Sequence, residues 1–185
     1  MARITQSLYA TLYLAKFDRV GFKYLGTTIG AFWLSFTSAF IVLPFFIILG
    51  VIRFKNEGFT SGLGRYLSLD LCSYALSWLA FPVLMEYLSH SLNCRKNFLQ
   101  FLVAYNWSMV PQNILYVTII LLASIDAISP NWANNLTFLL LMWIFAFTWF
   151  VTKEGLDVPN FTALGIVIMD FFLGLVIEIT TSSRF

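Results

Sequence analysis

The chain has 185 residues, of which 59% are hydrophobic, 18% aromatic and only 11% charged. A soluble domain carries about 25% charged residues, so this composition argues against a water-soluble domain, and a net charge of +2 offers little to a nucleic-acid partner. The sequence predicts a single all-α membrane domain over residues 1–185. It consists of a five-transmembrane-helix bundle preceded by an N-terminal interfacial amphipathic helix.

Residues 1–26 alternate polar and apolar side chains at helical spacing. Ile4, Leu8, Leu12 and Ala15 fall on one face, while Thr5, Lys16, Arg19 and Lys23 keep the segment at a surface. An amphipathic helix lying along a membrane explains this pattern.

Five stretches then meet the need of a bilayer core for about 20 apolar residues in helix: 31–52, 66–88, 98–124, 132–152 and 161–180. The connections are short, so consecutive helices are expected to pack as antiparallel neighbours. Pro44, Pro82 and Pro111 fall inside the first three spans. Each removes a backbone donor and frees a carbonyl four residues earlier, those of Phe40, Trp78 and Trp107.

The second span carries Asp70, Ser73 and Ser77 on one face. At its inner end and beyond, Glu86, His90 and Cys94 step by four; a row of this kind is poor geometry for a tetrahedral metal. Cys72 and Cys94 are too far apart along the helix to bridge within one chain.

The third span poses the sharpest question. Its centre, "AYNWSMVPQN", holds Asn106, Ser108, Pro111, Gln112 and Asn113 within a run without charge. In the fifth span Asp170, Gly174 and Glu178 share a face, with Asp170 at a depth similar to that of residues 111–113. Carboxyls at such depth face a bundle interior or a water-filled cavity. The expectation is that Asp170 meets Gln112 or Asn113 across a helix interface. A dry cluster would be interhelical glue, worth about 0.6 kcal/mol per contact, and a wet one a path for a solute or proton. The dry cluster is the narrow preference.

Lys and Arg set the orientation. Arg3, Lys16, Arg19, Lys23, Arg95, Lys96 and Lys153 lie on one side, and Arg53, Lys55, Arg65 and Arg184 on the other. The positive-inside rule puts the N-terminus in the cytoplasm and the C-terminus outside, with a bacterial inner membrane as the expected location. No P-loop, nucleophile elbow, zinc-protease or dinucleotide fingerprint occurs. No enzymatic activity, cofactor or metal is expected.

The stretches "FWLSFTSAFIVLPFFIIL", "LSWLAFPVLMEYL" and "VAYNWSMVPQNIL", followed by two more spans, resemble small bacterial membrane proteins related to the Yip (Ypt/Rab-interacting protein) superfamily. The resemblance implies a five-helix bundle with a cytoplasmic N-terminus and a short C-terminal tail, and it supplies no reaction. Eukaryotic members are linked to vesicle traffic and membrane shaping and carry a long N-terminal cytoplasmic segment, which this chain is expected to lack, so partner binding through such a segment is not expected. The leading functional expectation is a scaffold or accessory subunit that binds lipid, other membrane proteins or further copies of itself. The alternative is a small permease or proton-coupled carrier using Asp170 and the third-span amides. A weaker third is an accessory subunit of an energy-transducing complex. A carrier demands a polar cavity near Asp170 that reaches one face of the membrane; a scaffold demands a dry core there.

Overall fold

The structure, a computed structural model, describes residues 2–57, 62–92 and 94–182. Among them are seven α-helices, two short 3-10 turns and no strand. Helix α1 (Ala2–Leu14) leads through a 3-10 turn (Arg19–Tyr24) to α2 (Ile29–Ser35) and α3 (Thr37–Glu57). Then come α4 (Leu63–Ser91), a 3-10 turn (Arg95–Asn97), α5 (Phe98–Ser124), α6 (Pro130–Leu156) and α7 (Asn160–Ser182). Five helical stretches are long and apolar enough to cross a membrane: α2 with α3, then α4, α5, α6 and α7. They enclose the five expected spans and extend most of them by a few residues. Arg184, assigned from the sequence to the outer side, lies outside the described residues.

The first long stretch is broken at Phe36, for a local reason. Ser35, Thr37 and Ser38 each turn a hydroxyl back to the carbonyl three residues earlier, at 2.6, 2.7 and 2.5 Å. Such bonds compete with the regular helical ladder and bend it. The prolines, by contrast, sit inside unbroken helices, Pro44 in α3, Pro82 in α4 and Pro111 in α5. At the Pro44 turn the Tyr74 hydroxyl donates to the Ala39 carbonyl at 2.6 Å, tying α4 to α3 beside the proline.

Helix α5 is the hub, packed against α6, α3, α2 and α1, while α7 lies between α6 and α4. The core is dense at the end of the bundle that holds α1. There Phe81, Met85, Phe101, Leu102, Phe147 and Val151 are all fully buried. Gly155 lets α6 approach α5 so closely that an added Cβ would sit 3.3 Å from the Phe101 Cα. Elsewhere the outward faces are apolar and uncovered, with Phe40, Leu79, Val83, Phe138, Leu139, Phe161, Phe172 and Val176 all exposed.

Helix α1 is docked onto this dense end, and its inner face differs from the expected one. Ser7, Ala10, Thr11 and Leu14 are buried, Ile4, Leu8 and Ala15 are half-buried, and Leu12 is exposed. The stripe is made of small and hydroxyl-bearing residues because α1 packs against protein as well as facing outward. Thr11 and Ser7 satisfy their hydroxyls on the carbonyls one turn back, at 2.8 and 3.0 Å. Gly21 allows the 3-10 turn to lie on α1, since a Cβ there would come within 2.6 Å of the Ala10 carbonyl oxygen. Phe17, in the left-handed region at φ 61°, ends α1 and packs its ring edge-to-face on Phe147 and Phe150. Arg19 pairs with Glu154 at 2.8 Å, and Gln100 donates to the Phe22 carbonyl at 3.0 Å.

The expected row of Glu86, His90 and Cys94 does not form. Helix α4 stops at Ser91, and Cys94 turns into the core while Glu86 and His90 stay exposed. Arg95 takes the third place, 3.2 Å from Glu86 and in contact with the His90 ring.

Candidate functional site: a cleft between four helices

Above the dense core the helices part. A cavity of about 510 Å³ opens between α3, α4, α5 and α7. Its lining runs from Phe81, Tyr105 and Asp170 at the end nearest the dense core, called its foot, past Ser77, Trp78, Met109, Asn113 and Gly174, to Arg53, Asp70, Ser73, Glu178 and Thr181 at the far end, called its mouth; Ser77 and Gly174 are themselves exposed. The Thr181 hydroxyl donates to Ser73 Oγ at 2.9 Å and fixes the register of α7 against α4. From Asp170 to Thr181 the helix rises about 16 Å, at 1.5 Å per residue, so the cleft reaches deep into the bundle.

Both acidic faces read from the sequence converge here. Asp70, Ser73 and Ser77 on α4 line the same space as Asp170, Gly174 and Glu178 on α7. Ser77 turns its hydroxyl to the Ser73 carbonyl at 3.0 Å. Glu178 lies 3.8 Å from Arg53, an exposed pair that crosses the mouth from α7 to α3. Asp70 is only 8% exposed; its carboxylate accepts no side-chain hydrogen bond among the described residues and feels the charge of Arg53. Gly50 leaves room for it, since a Cβ on α3 at that point would lie 2.9 Å from Asp70 Oδ2.

The partner of Asp170 is Tyr105. Its hydroxyl lies 2.9 Å from both carboxylate oxygens, and its ring stacks on Phe81 at 4.2 Å. The expected partners are engaged elsewhere. Gln112 reaches Ser108 on its own helix at 3.5 Å, and Asn113 donates to the Met109 carbonyl at 2.9 Å. Asn113 nevertheless lines the cleft, whereas Gln112 and Pro111 do not. Residues on one helix advance by about 100° per position, so neighbours in sequence look in different directions.

Asn106 looks away from the cleft. It is fully buried, and its Nδ2 donates at 2.8 Å to Ser35 Oγ, at the break between α2 and α3. Its Oδ1 has no partner. Ser108 returns its hydroxyl to the Tyr105 carbonyl at 2.7 Å. The polar centre of the third span therefore splits into three jobs: bracing the break, satisfying its own helix, and lining the cleft.

Much of the lining went unread in the sequence, Tyr105 and Arg53 as well as the aromatic Phe46, Tyr74, Trp78 and Phe81. Tyr105, Met109 and Asn113 step by four and so share a face, the same signal that grouped Asp170 with Glu178. Arg53 falls just past the expected span 31–52, but α3 continues through it. No group of three or more His, Cys, Asp or Glu suited to a metal ion occurs among the described residues. Comparison with protein-family models, curated proteins and solved structures finds no match.

Proposed function

We propose that this chain is an integral membrane protein whose five spans carry a solute-binding cleft, and that it works as a small permease or proton-coupled carrier with Asp170 at the foot. The observation that carries this reading is the cleft itself, about 510 Å³ and lined by three carboxyl groups. Ligand sites commonly measure about 300–1,000 Å³. A dry scaffold core would have been filled at this depth, as it is lower in the same bundle. The membrane setting is supported by the uncovered apolar faces, which in water would be a large liability.

Orientation belongs to the same proposal. Lys16, Arg19, Lys23, Arg95, Lys96 and Lys153 belong to α1 and the chain segments that meet it, while Arg53 and Arg65 lie towards the opposite end. The positive-inside rule then puts the α1 end in the cytoplasm and the mouth of the cleft outside. The likeness to Yip-type membrane proteins is kept as part of this reading, for span number and order only.

Reconstituted vesicles loaded with a pH-reporting dye test it. Under an imposed gradient the protein is expected to raise proton flux or proton-linked uptake, and Asp170→Asn and Gly174→Phe are expected to return it to the level of empty vesicles. A Cβ on Gly174 meets open space, so the bulky variant fills the cleft without disturbing a packed neighbour. Wild-type flux in both variants would sink the carrier reading.

One observation favours the scaffold or accessory-subunit reading. Tyr9, Tyr13 and Tyr24 form an aromatic cluster on the outer side of α1, with ring centroids 5.0–6.0 Å apart. Tyrosines presented in this way suit a protein or headgroup contact. Purification in mild detergent followed by mass spectrometry separates the two: a stoichiometric partner lost on Tyr9→Ala with Tyr24→Ala supports the scaffold.

A further inference from the structure

The chemistry of the cleft selects among solutes. It holds one guanidinium against three carboxyl groups. Arg53 is drawn to Glu178 across the mouth, and Asp170 is held by the Tyr105 hydroxyl. Asp70 is nine-tenths buried and faces the cavity; the Arg53 charge acts on it too, but no side chain donates a hydrogen bond to its carboxylate among the described residues. A buried carboxylate in that state is costly until a cation or donor arrives.

What lies below Asp70 is aromatic. Asp70, Tyr74 and Trp78 step by four along α4 and all line the cavity. Phe46 closes on Tyr74 with ring centroids 4.5 Å apart, and Tyr74 stands 6.0 Å from Trp78. Ring faces attract a cation lying over them and bury the apolar body attached to it. A small inorganic cation needs about six oxygen ligands converging on one point, and no group of three or more His, Cys, Asp or Glu that could hold one occurs among the described residues. An anion would meet three carboxyl groups with a single, already engaged guanidinium to offset them.

We propose that the cleft binds a hydrophobic organic monocation, its charged centre beside Asp70 and its apolar body along Tyr74, Trp78 and Phe81. This rests on the reading of the cleft as a solute site. Asp70 supplies the counter-charge, and the aromatic wall supplies contact area that tolerates varied shapes.

The test uses the full chain in nanodiscs of zwitterionic lipid and two probes of nearly equal size and shape but opposite charge, tetraphenylphosphonium and tetraphenylborate. Equilibrium dialysis, with empty nanodiscs subtracted, reads saturable binding. The phosphonium is expected to bind at one site per chain and the borate not to saturate. The isosteric Asp70→Asn is expected to weaken phosphonium binding about tenfold or more, since it removes the charge from a low-dielectric setting. Equal binding of both probes, or unchanged affinity in Asp70→Asn, would overturn the proposal.

If neither probe binds, the cation assignment is wrong, and a second measurement decides whether the cleft reading falls with it. Ser77→Cys, in a Cys72→Ala, Cys94→Ala background, is exposed to a small water-soluble thiol reagent. Labelling without phosphonium binding rejects the cation and keeps an aqueous cleft; absence of labelling rejects both. When phosphonium does bind, it is expected to protect Ser77→Cys from the reagent.

Discussion

The hydroxyl of Tyr105 sits 2.9 Å from each carboxylate oxygen of Asp170 and joins α5 to α7 across the foot of the cleft. These two helices make few other contacts, so this bond is the main cross-brace at that level. A double-mutant cycle with Tyr105→Phe and Asp170→Asn measures it. The coupling is expected at about 0.6–1.7 kcal/mol, the range of interhelical hydrogen bonds in membranes, read from unfolding in mixed micelles. Additive single effects would mean the bond contributes nothing.

The Arg53–Glu178 pair should matter for access and hardly at all for stability. Both side chains are exposed at the mouth, and such pairs contribute about 0–1 kcal/mol. Arg53→Ala is expected to leave the unfolding midpoint within that range. The same change is expected to speed thiol labelling of Ser77→Cys by opening the mouth. Unchanged or slower labelling would show that the pair does not restrict entry.

Docking of α1 depends on Gly21. An added methyl at that position meets the Ala10 carbonyl oxygen and the Leu14 side chain inside 3 Å, and backbone cannot move aside as a flexible side chain can. Gly21→Ala is expected to cost about 1–3 kcal/mol, as for overpacked sites. It should also expose Lys16 and Arg19 to trypsin in the folded protein. Unchanged digestion would show that α1 is held by its other contacts.

Cys94 offers a pH-dependent readout at the α1 end. Burial pushes its thiol above the ordinary value of 9.0. The folded state therefore favours the neutral thiol. The resulting stabilisation is fully present below pH 9.0 and is lost as the pH climbs through the raised value. Alkylation by iodoacetamide at pH 8 is expected to be slow in the native protein and to reach the rate of a free thiol on unfolding. Cys94→Ser should flatten the loss of stability at high pH.

Much of the architecture was legible in the sequence, because five long apolar runs admit few alternatives. The convergence of Asp70, Ser73 and Ser77 with Asp170 and Glu178 was half legible. Helical spacing assigned each set to a face, but nothing in one chain says which two faces meet. The partner of Asp170 was misread because Gln112 and Asn113 were taken as one polar unit. At 100° per residue they point apart, and the tyrosine two turns before Asn113 shares its direction. The inner face of α1 was misread for a related reason. Apolar spacing through Leu12 describes a helix facing lipid alone, whereas one that also packs on protein favours close approach, hence Ser7 and Ala10 on α1 and Gly21 on the turn that lies against it. The purpose of Asn106 was invisible in sequence, since it answers to a break in another helix.

The unequal filling of the bundle has a kinetic corollary. At the α1 end, aromatic rings interlock and α5 to α6 contact is close; at the mouth, few contacts bind α3 to α7 beyond one exposed ion pair. Local opening events are therefore expected to begin at the mouth and die out near Phe101, so that amide exchange slows steadily down the length of α7 towards Asn160. Helix ends that breathe over a fixed base can part and rejoin without unfolding the chain. With packing graded in this way, the anchored half is expected to set the protein's lifetime and the loose half its repertoire of shapes.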